Sequence, residues 1–189
     1  MTPESIVAFW RDAGPRAWFA RNPAFDAEIR ERFEDLHHQA ARGELEGWLG
    51  SPVGALALIL LLDQFSRSIY RDSPRAFAQD YQALSLTVSG MQLGADATLD
   101  PVERLFFYMP LMHAESLEVQ EESVAAFRRL REEAAADLRR TFDSHLDYAV
   151  RHRDTIERFG RFPTRNQVLG RDSTLDEVEW LAHEGRDFS

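Results

Sequence analysis

Apolar residues recur along most of this chain at the three- and four-residue spacing of an amphipathic helix. After Asn22 and Pro23, four such residues fall on one helical face: Phe25, Ile29, Phe33 and Leu36. Asn followed by Pro is a favoured helix start, because Pro lacks an N–H that would go unsatisfied in the first turn. The pattern predicts a helix that begins near Pro23 and stops near Gly43.

The most apolar stretch predicts a central helix from about Pro52 to about Arg71. Its segment GALALILLL is apolar nearly all round and ends at Asp63. A helix that is apolar on every side is buried in the interior of a protein. The run is too short for a membrane span, which needs about 20 residues.

Start and stop signals place the remaining helices. We predict a helix from Ser73-Pro74 toward Gly90 and one that begins at the capping box at Asp100 and is stopped or kinked by Pro110. Three more follow: one from Ser116 to about Glu133, one ending at Phe159 before Gly160, and a last one opened by the capping box at Thr174. No segment alternates as a strand would. The sequence therefore predicts an all-α protein, and 189 residues favour one domain over residues 1–189.

Composition narrows the chemistry. The chain has no cysteine, and all 22 basic residues are arginine, so a thiolate metal site, a catalytic cysteine and a Schiff-base lysine are excluded. The net charge of −10 argues against binding to nucleic acid or to an anionic membrane. No dinucleotide, P-loop, zinc-hydrolase or serine-hydrolase motif occurs. We expect a cytoplasmic protein with no cofactor, no metal, no nucleic-acid partner and no membrane partner.

The first polar stretch that could carry function lies at the end of the central helix. Asp63, Arg67 and Arg71 are four residues apart and share one helical face, and Gln64 follows Asp63. Because Asp63 follows an apolar run, we expect it to be partly buried, and a buried carboxylate must be paired or hydrogen-bonded. The residues form either a structural ion pair or an anion site with Asp63 as a base or anchor.

The second stretch follows Pro110, where the predicted helix breaks. His113 and Glu115 fall in or beside this break. Histidine titrates near neutrality and could act as an acid, a base or a ligand. The alternative is a helix cap with a hydrogen-bonded histidine.

The third stretch, which we call the arginine-rich turn (residues 158–171), contains RFGRFPTRN and is preceded by His152. It carries Arg158, Arg161, Arg165, Asn166 and Arg171, and no acidic residue. The planar guanidinium suits a carboxylate or a phosphate. These arginines must therefore meet either a ligand's anion or the protein's own carboxylates.

Three segments together resemble a known bacterial family. They are similar to the signature segments of domain-of-unknown-function family 924, and so is an N-terminal stretch. The segments are LILLLDQFSRSIYR, FFYMPLMHAESLEVQE and HRDTIERFGRFPTRNQVLGRDST, and the N-terminal stretch is AFWRDAGPRAWFARNPAF. The resemblance covers nearly the whole chain. It implies an all-α superhelix of stacked helix hairpins, similar to tetratricopeptide-repeat proteins, with about eight to nine helices. The chain departs from the family pattern at Ser66, Ser68 and Thr164.

Three functions are compatible with these observations. The first is a module that binds a small anionic ligand or an acidic peptide in a polar, arginine-rich pocket. The second is an enzyme acting on a small anionic substrate, with Asp63 or His113 as base and an arginine clamp. The third is a structural or partner-binding scaffold. The candidate ligand-binding residues are Asp63, Gln64, Arg67, Arg71, His113, Glu115, His152, Arg161, Arg165 and Asn166.

Overall fold

Helices joined by short connections make up the structure, a computed structural model that describes residues 1–136 and 138–185. In chain order they are α1 (Pro3–Ala13), α2 (Pro15–Phe19), α3 (Pro23–Ala41), α4 (Pro52–Ile59), α5 (Ser66–Ile69), α6 (Asp80–Gln92), α7 (Pro101–Met112), α8 (Leu117–Glu133), α9 (Arg139–Phe159), α10 (Asn166–Leu169) and α11 (Leu175–His183). The described residues contain no strand. The all-α prediction is confirmed.

The described chain forms two compact units. The first comprises Met1–Arg71 and Arg75–Pro110, and the second comprises Asp72–Pro74 and the chain from Leu111 onward. The boundary between them falls in the last turn of α7. One domain over residues 1–189 stays a prediction, as does packing of the tetratricopeptide-repeat kind.

One buried helix forms the centre of the first unit. It runs continuously from Pro52 to Ile69 and packs against α1, α3 and α6. By length and composition alone this helix could cross a membrane. However, 83% of it is buried within the protein, as in the core helix of a soluble protein. The predicted helix is confirmed, but a π-helical segment at Leu60–Phe65, between α4 and α5, was not predicted.

Helix α3 differs from its predicted apolar face at one position. Ile29 and Phe33 are fully buried as predicted, but the next core position is held by His37 and not by Leu36. The imidazole Nε2 of His37 lies 2.8 Å from the hydroxyl of Ser66. Burial, together with the nearby positive charges of His38 and Arg75, lowers the pKa of His37 to about 4. The histidine is therefore neutral and part of the core at physiological pH.

Two predicted helix boundaries are wrong. Pro74 opens only a 3₁₀ turn, Pro74–Phe77, and α6 begins later at Asp80. Arg75 lies in this turn, and its guanidinium lies 3.8 Å from the ring centroid of Tyr70.

The second wrong boundary is Pro110, which lies inside α7 without ending it. The side-chain amide of Gln120 donates to the carbonyls of Leu111, Met112 and Ala114. These bonds satisfy carbonyls at the end of α7 that have no partner within the helix. The helix is thereby completed two residues beyond the proline.

The second unit is built on the helix pair α8 and α9, which pack along each other. Gly160 ends α9 with φ 69°, the left-handed conformation that glycine adopts at helix ends. The capping box at Thr174 and Glu177 opens α11. Both signals were predicted from the sequence, and both are confirmed.

Gly54 marks a close approach at the start of the central helix. A Cβ atom at this position would lie 1.9 Å from the backbone oxygen of Trp48. The Gly54 N–H also donates to the hydroxyl of Ser51, which caps α4. The 3₁₀ turn Glu46–Gly50 can pack this tightly on α4 only because residue 54 has no side chain.

We predict that Gly54→Ala destabilises the protein by about 1–3 kcal/mol, the usual cost of overpacking. The gain in helix propensity, about 1 kcal/mol, is smaller than the cost of moving backbone. Urea denaturation measures the change. Gly50→Ala is the matched control, since nothing lies within 4 Å of its added Cβ. Equal stability of the two variants would contradict the prediction.

Candidate functional site

The first polar cluster lies in the π-helical segment of the central helix. Asp63 has no solvent exposure, and Arg67 Nη1 lies 3.0 Å from its Oδ1 and 2.9 Å from its backbone oxygen. The Gln64 amide donates to Asp63 Oδ2 at 2.6 Å. Asp80 at the start of α6 completes the cluster, with its Oδ1 3.1 Å from Arg67 Nη1. Burial of Asp63 is thus complete, where the sequence predicted partial burial.

Arg71 belongs to a separate ion pair. Its Nε and Nη2 donate to the two carboxylate oxygens of Asp26 on α3, at 2.6 and 2.7 Å. The three residues predicted to share one helical face therefore belong to two separate ion-pair groups. Arg67 faces α6 and pairs with Asp63 and Asp80, whereas Arg71 faces α3 and pairs with Asp26. Because Asp63 is fully buried, a substrate cannot reach its carboxylate. The cluster therefore gives no support to the hypothesis of an enzyme with Asp63 as its base.

The second cluster is centred on Glu177, which lies in the first turn of α11. Glu177 is 2% exposed. Arg161 donates from Nε and Nη2 to its two oxygens, at 2.7 and 2.8 Å. The Thr174 N–H and the Asn166 amide donate to Oε2 at 2.7 and 3.3 Å. The hydrogen bond from Arg161 is the main cause that lowers the pKa of Glu177 to about 2. We call Arg161, Asn166, Thr174 and Glu177 the Glu177 clasp.

Glu115 holds the other side of the arginine-rich turn. Arg171 donates to both of its oxygens, at 2.7 and 2.9 Å, and the Phe162 N–H donates to Oε1 at 2.8 Å. Burial alone would raise the pKa of Glu115, but the bonds from Arg171 and Phe162 outweigh it and lower the pKa. Arg171 Nε also donates to Asn166 Oδ1, so this pair and the Glu177 clasp form one network.

The remaining predicted residues lie around this network. Arg165 Nη2 donates to the backbone oxygen of His113 at 2.9 Å, and its guanidinium lies 4.6 Å from the Phe162 ring centroid. His152 Nδ1 lies 2.8 Å from the backbone oxygen of Tyr148, and its ring packs edge-on against Phe162. From the sequence, the arginines of this turn could pair either with an anion of a ligand or with carboxylates of the protein itself. Arg161 and Arg171 pair with the protein's own carboxylates.

A surface groove of about 560 Å³ lies beside this network. Its lining residues are Arg151, Asp154, Thr155 and Arg158 of α9 and Trp180, His183 and Glu184 at α11. Arg158 belongs to the arginine-rich turn, and Asp154 and Thr155 lie in the signature segment that begins at His152, but none of the lining residues was among the predicted ligand-binding residues. The spacing of residues 151, 154, 155 and 158 predicts that they share one face of α9. The opposite wall of the groove comes from α11 and could not be inferred from that spacing.

Arg158 differs from the other paired arginines of the turn in its exposure. Its Nη2 lies 2.5 Å from Asp176 Oδ1, and these side chains are 45% and 56% exposed. Glu184 lies farther away, at 3.9 Å. In the Glu177 clasp, by contrast, the side chains of Arg161 and Glu177 are 29% and 2% exposed. Exposed ion pairs add little to stability, so Arg158 can exchange its partner at low cost.

Metal chemistry has no candidate centre in the part of the chain that the structure describes. No group of three or more histidine or carboxylate side chains is arranged there to hold a metal ion. The carboxylate of Glu177 is paired with Arg161, whose guanidinium has no lone pair to offer a metal ion.

Fold and polar networks together define a class: an all-α protein whose arginine-rich turn is held by the carboxylates of Glu115 and Glu177, next to an open polar groove. The chain belongs to the bacterial proteins of unknown function of family DUF924, whose model matches residues 6–185. This confirms the family resemblance. A solved structure of a protein of unknown function from Agrobacterium tumefaciens is similar, with 38% identity, a TM-score of 0.85, and coverage of 95% of this chain and 96% of that chain. No curated protein matches the chain.

We predict that Asp63→Asn destabilises the protein by about 3 kcal/mol, at the lower end of the cost of breaking a buried pair. The amide places an N–H donor against the donors of Gln64 or Arg67, while Asp80 still pairs with Arg67. Chemical denaturation measures the change. Asp35→Asn on the exposed side of α3 is the control and should change stability by less than about 0.5 kcal/mol. A similar small change for both variants would show that the buried pair is not stabilising.

We also predict that the Glu177 clasp makes the protein sensitive to acid. The folded-state pKa of Glu177, about 2, lies below its ordinary value of 4.5, so its contribution to stability is complete above pH 4.5 and is lost as the pH falls toward 2. Glu177→Gln should lower the melting temperature near pH 6 and flatten its fall between pH 4.5 and pH 2. Glu118→Gln, an exposed position on α8, should keep the wild-type slope. An unchanged slope in Glu177→Gln would contradict the assignment.

Proposed function

We propose that this protein is a binding module for a small ligand with an anionic group, and that the ligand lies in the groove between α9 and α11. The observation that carries the proposal is the exposed ion pair of Arg158, which presents an exchangeable guanidinium to a groove of about 560 Å³. Sites for small molecules usually have volumes of about 300–1,000 Å³.

The residues around the groove supply what such a ligand needs. Arg151 and Arg158 lie two helical turns apart on one face of α9, and both residues line the same groove. Thr155 and Trp180 are buried and form its floor. Arginine binds a carboxylate through two parallel hydrogen bonds, which gives orientation as well as attraction.

The Glu177 clasp has a supporting role in this proposal. It joins the turn after α9 to the first turn of α11, and these two helices form the walls of the groove. Arg161, Arg165 and Asn166, predicted as ligand-binding residues, are placed by the proposal in the support of the site and not in contact with the ligand. A preorganised site loses less entropy on binding.

The proposal also assigns the protein to the cytoplasm. The chain has no cysteine, so no disulfide ties its fold to an oxidising compartment, and its net charge of −10 does not favour an anionic membrane or nucleic acid as partner. An acidic peptide, which would present its carboxylates to the same arginines, is the larger form of the same ligand chemistry.

We predict that an aromatic carboxylate such as phenylacetate binds saturably and raises the melting temperature, because a ligand that binds only the folded state stabilises it. Arg158→Gln should weaken binding about tenfold or more, as expected when a hydrogen-bonded charge is removed. Isothermal titration calorimetry measures the affinity of each protein, and thermal denaturation with and without phenylacetate measures the shift in melting temperature. Arg128→Gln, an exposed arginine on α8, is the control and should bind like the wild type. Equal weakening in the two variants, or no saturable binding, would refute the proposal.

A further inference from the structure

We infer that the ligand of the groove is a short zwitterionic peptide, with a free carboxylate, a free ammonium group and an apolar side chain. The inference rests on the proposed function and narrows its ligand class. It follows from the charges on the rim of the groove, from their spacing and from the nature of the floor.

The rim carries both signs of charge in equal number. Arg151 and Arg158 contribute two positive charges, and Asp154 and Glu184 contribute two negative charges. A site for a phosphate or another polyanion would gain from an excess of positive charge, and this rim has none. A ligand that carries one charge of each sign finds a partner for both.

The spacing of the rim charges fits a short molecule. Asp154 lies three residues after Arg151 and four before Arg158, so the acid stands between the two bases on one face of α9. Neighbours at these spacings have Cβ atoms about 5–6 Å apart. Two extended residues span at most about 7 Å, so a dipeptide can place one end at Asp154 and the other at an arginine.

The floor of the groove suits an apolar side chain. Trp180 is 5% exposed and packs edge-on against Phe159, with ring centroids 5.6 Å apart, so its indole is held in place. Burying an apolar group against an aromatic ring is favourable. The ligand is therefore expected to carry a leucine- or phenylalanine-like side chain.

The charged groups of the rim can release their present partners. Arg158 pairs with Asp176, and Asp154 lies 3.0 Å from Arg153, with Asp154 55% exposed. Glu184 is 68% exposed. Arg153 is less exposed, at 28%, but it also lies near Glu121 and Glu157, so it keeps carboxylate partners when a ligand takes Asp154. Exposed ion pairs are weak, so the termini of a ligand can replace them at low cost.

Four probes test the inference on the full chain by isothermal titration calorimetry: the dipeptide leucyl-phenylalanine, its N-acetyl form, its C-terminal amide and inorganic phosphate. We expect the free dipeptide to bind tightest, each capped form to bind about tenfold more weakly, and phosphate to bind weakest. If the N-acetyl form binds as well as the free dipeptide, the zwitterion inference is overturned while anion binding stands. If the amide binds as well as the free dipeptide, carboxylate recognition fails, and the proposed function fails with it.

Matched variants assign the two ends. Asp154→Asn should weaken the free dipeptide about tenfold and leave the N-acetyl form unchanged, because only the free dipeptide presents an ammonium group. Arg158→Gln should weaken both, and Arg128→Gln should weaken neither. Equal losses of both ligands in Asp154→Asn would overturn the assignment of the ammonium group. Circular dichroism of each variant confirms that it is folded.

Discussion

A carboxylate that is removed from water must be met by donors before the helices around it can pack, and this constraint shapes both units of the structure. In the first unit Asp63 is fully buried in the central helix and is held by Arg67 and Gln64. In the second, Glu177 is almost fully buried at the start of α11 and is held by Arg161 and Asn166. The chain meets this constraint without lysine. Arginine can satisfy two carboxylate oxygens at once, and its charge is not lost at any physiological pH.

The arginines divide into two groups by exposure, and this division carries the functional argument. Arg161 and Arg171 form paired hydrogen bonds with carboxylates that hold the turn after α9. Arg158 lies in the same turn of sequence, but its pair with Asp176 is exposed to solvent. A clustered set of arginines therefore need not act as one site. The paired and partly buried members position the helices, and the exposed member borders the groove.

Much of the fold could be predicted because its signals are local. The capping residue Asn22, the glycine at 160 and the capping box at Thr174 act within one or two turns of chain, and each lies where the sequence indicates. The π-helical segment around Asp63 could not be predicted in this way, because its surroundings include Asp80 on another helix. The groove was missed for the same reason: Arg151 and Trp180 are far apart in sequence and meet only in the folded chain. Ion-pair partners such as Asp26 for Arg71 depend likewise on how helices pack.

Glu177 also has a consequence for how this sequence can change over generations. Its carboxylate accepts bonds from Arg161, Asn166 and the Thr174 backbone, and it supplies the capping box of α11. Aspartate keeps the charge but is one methylene shorter, and glutamine keeps the length but replaces an acceptor with a donor. No single replacement preserves all of these bonds. Drift at this position would therefore require a simultaneous change at Arg161, so the two residues are expected to persist or to disappear together among descendants.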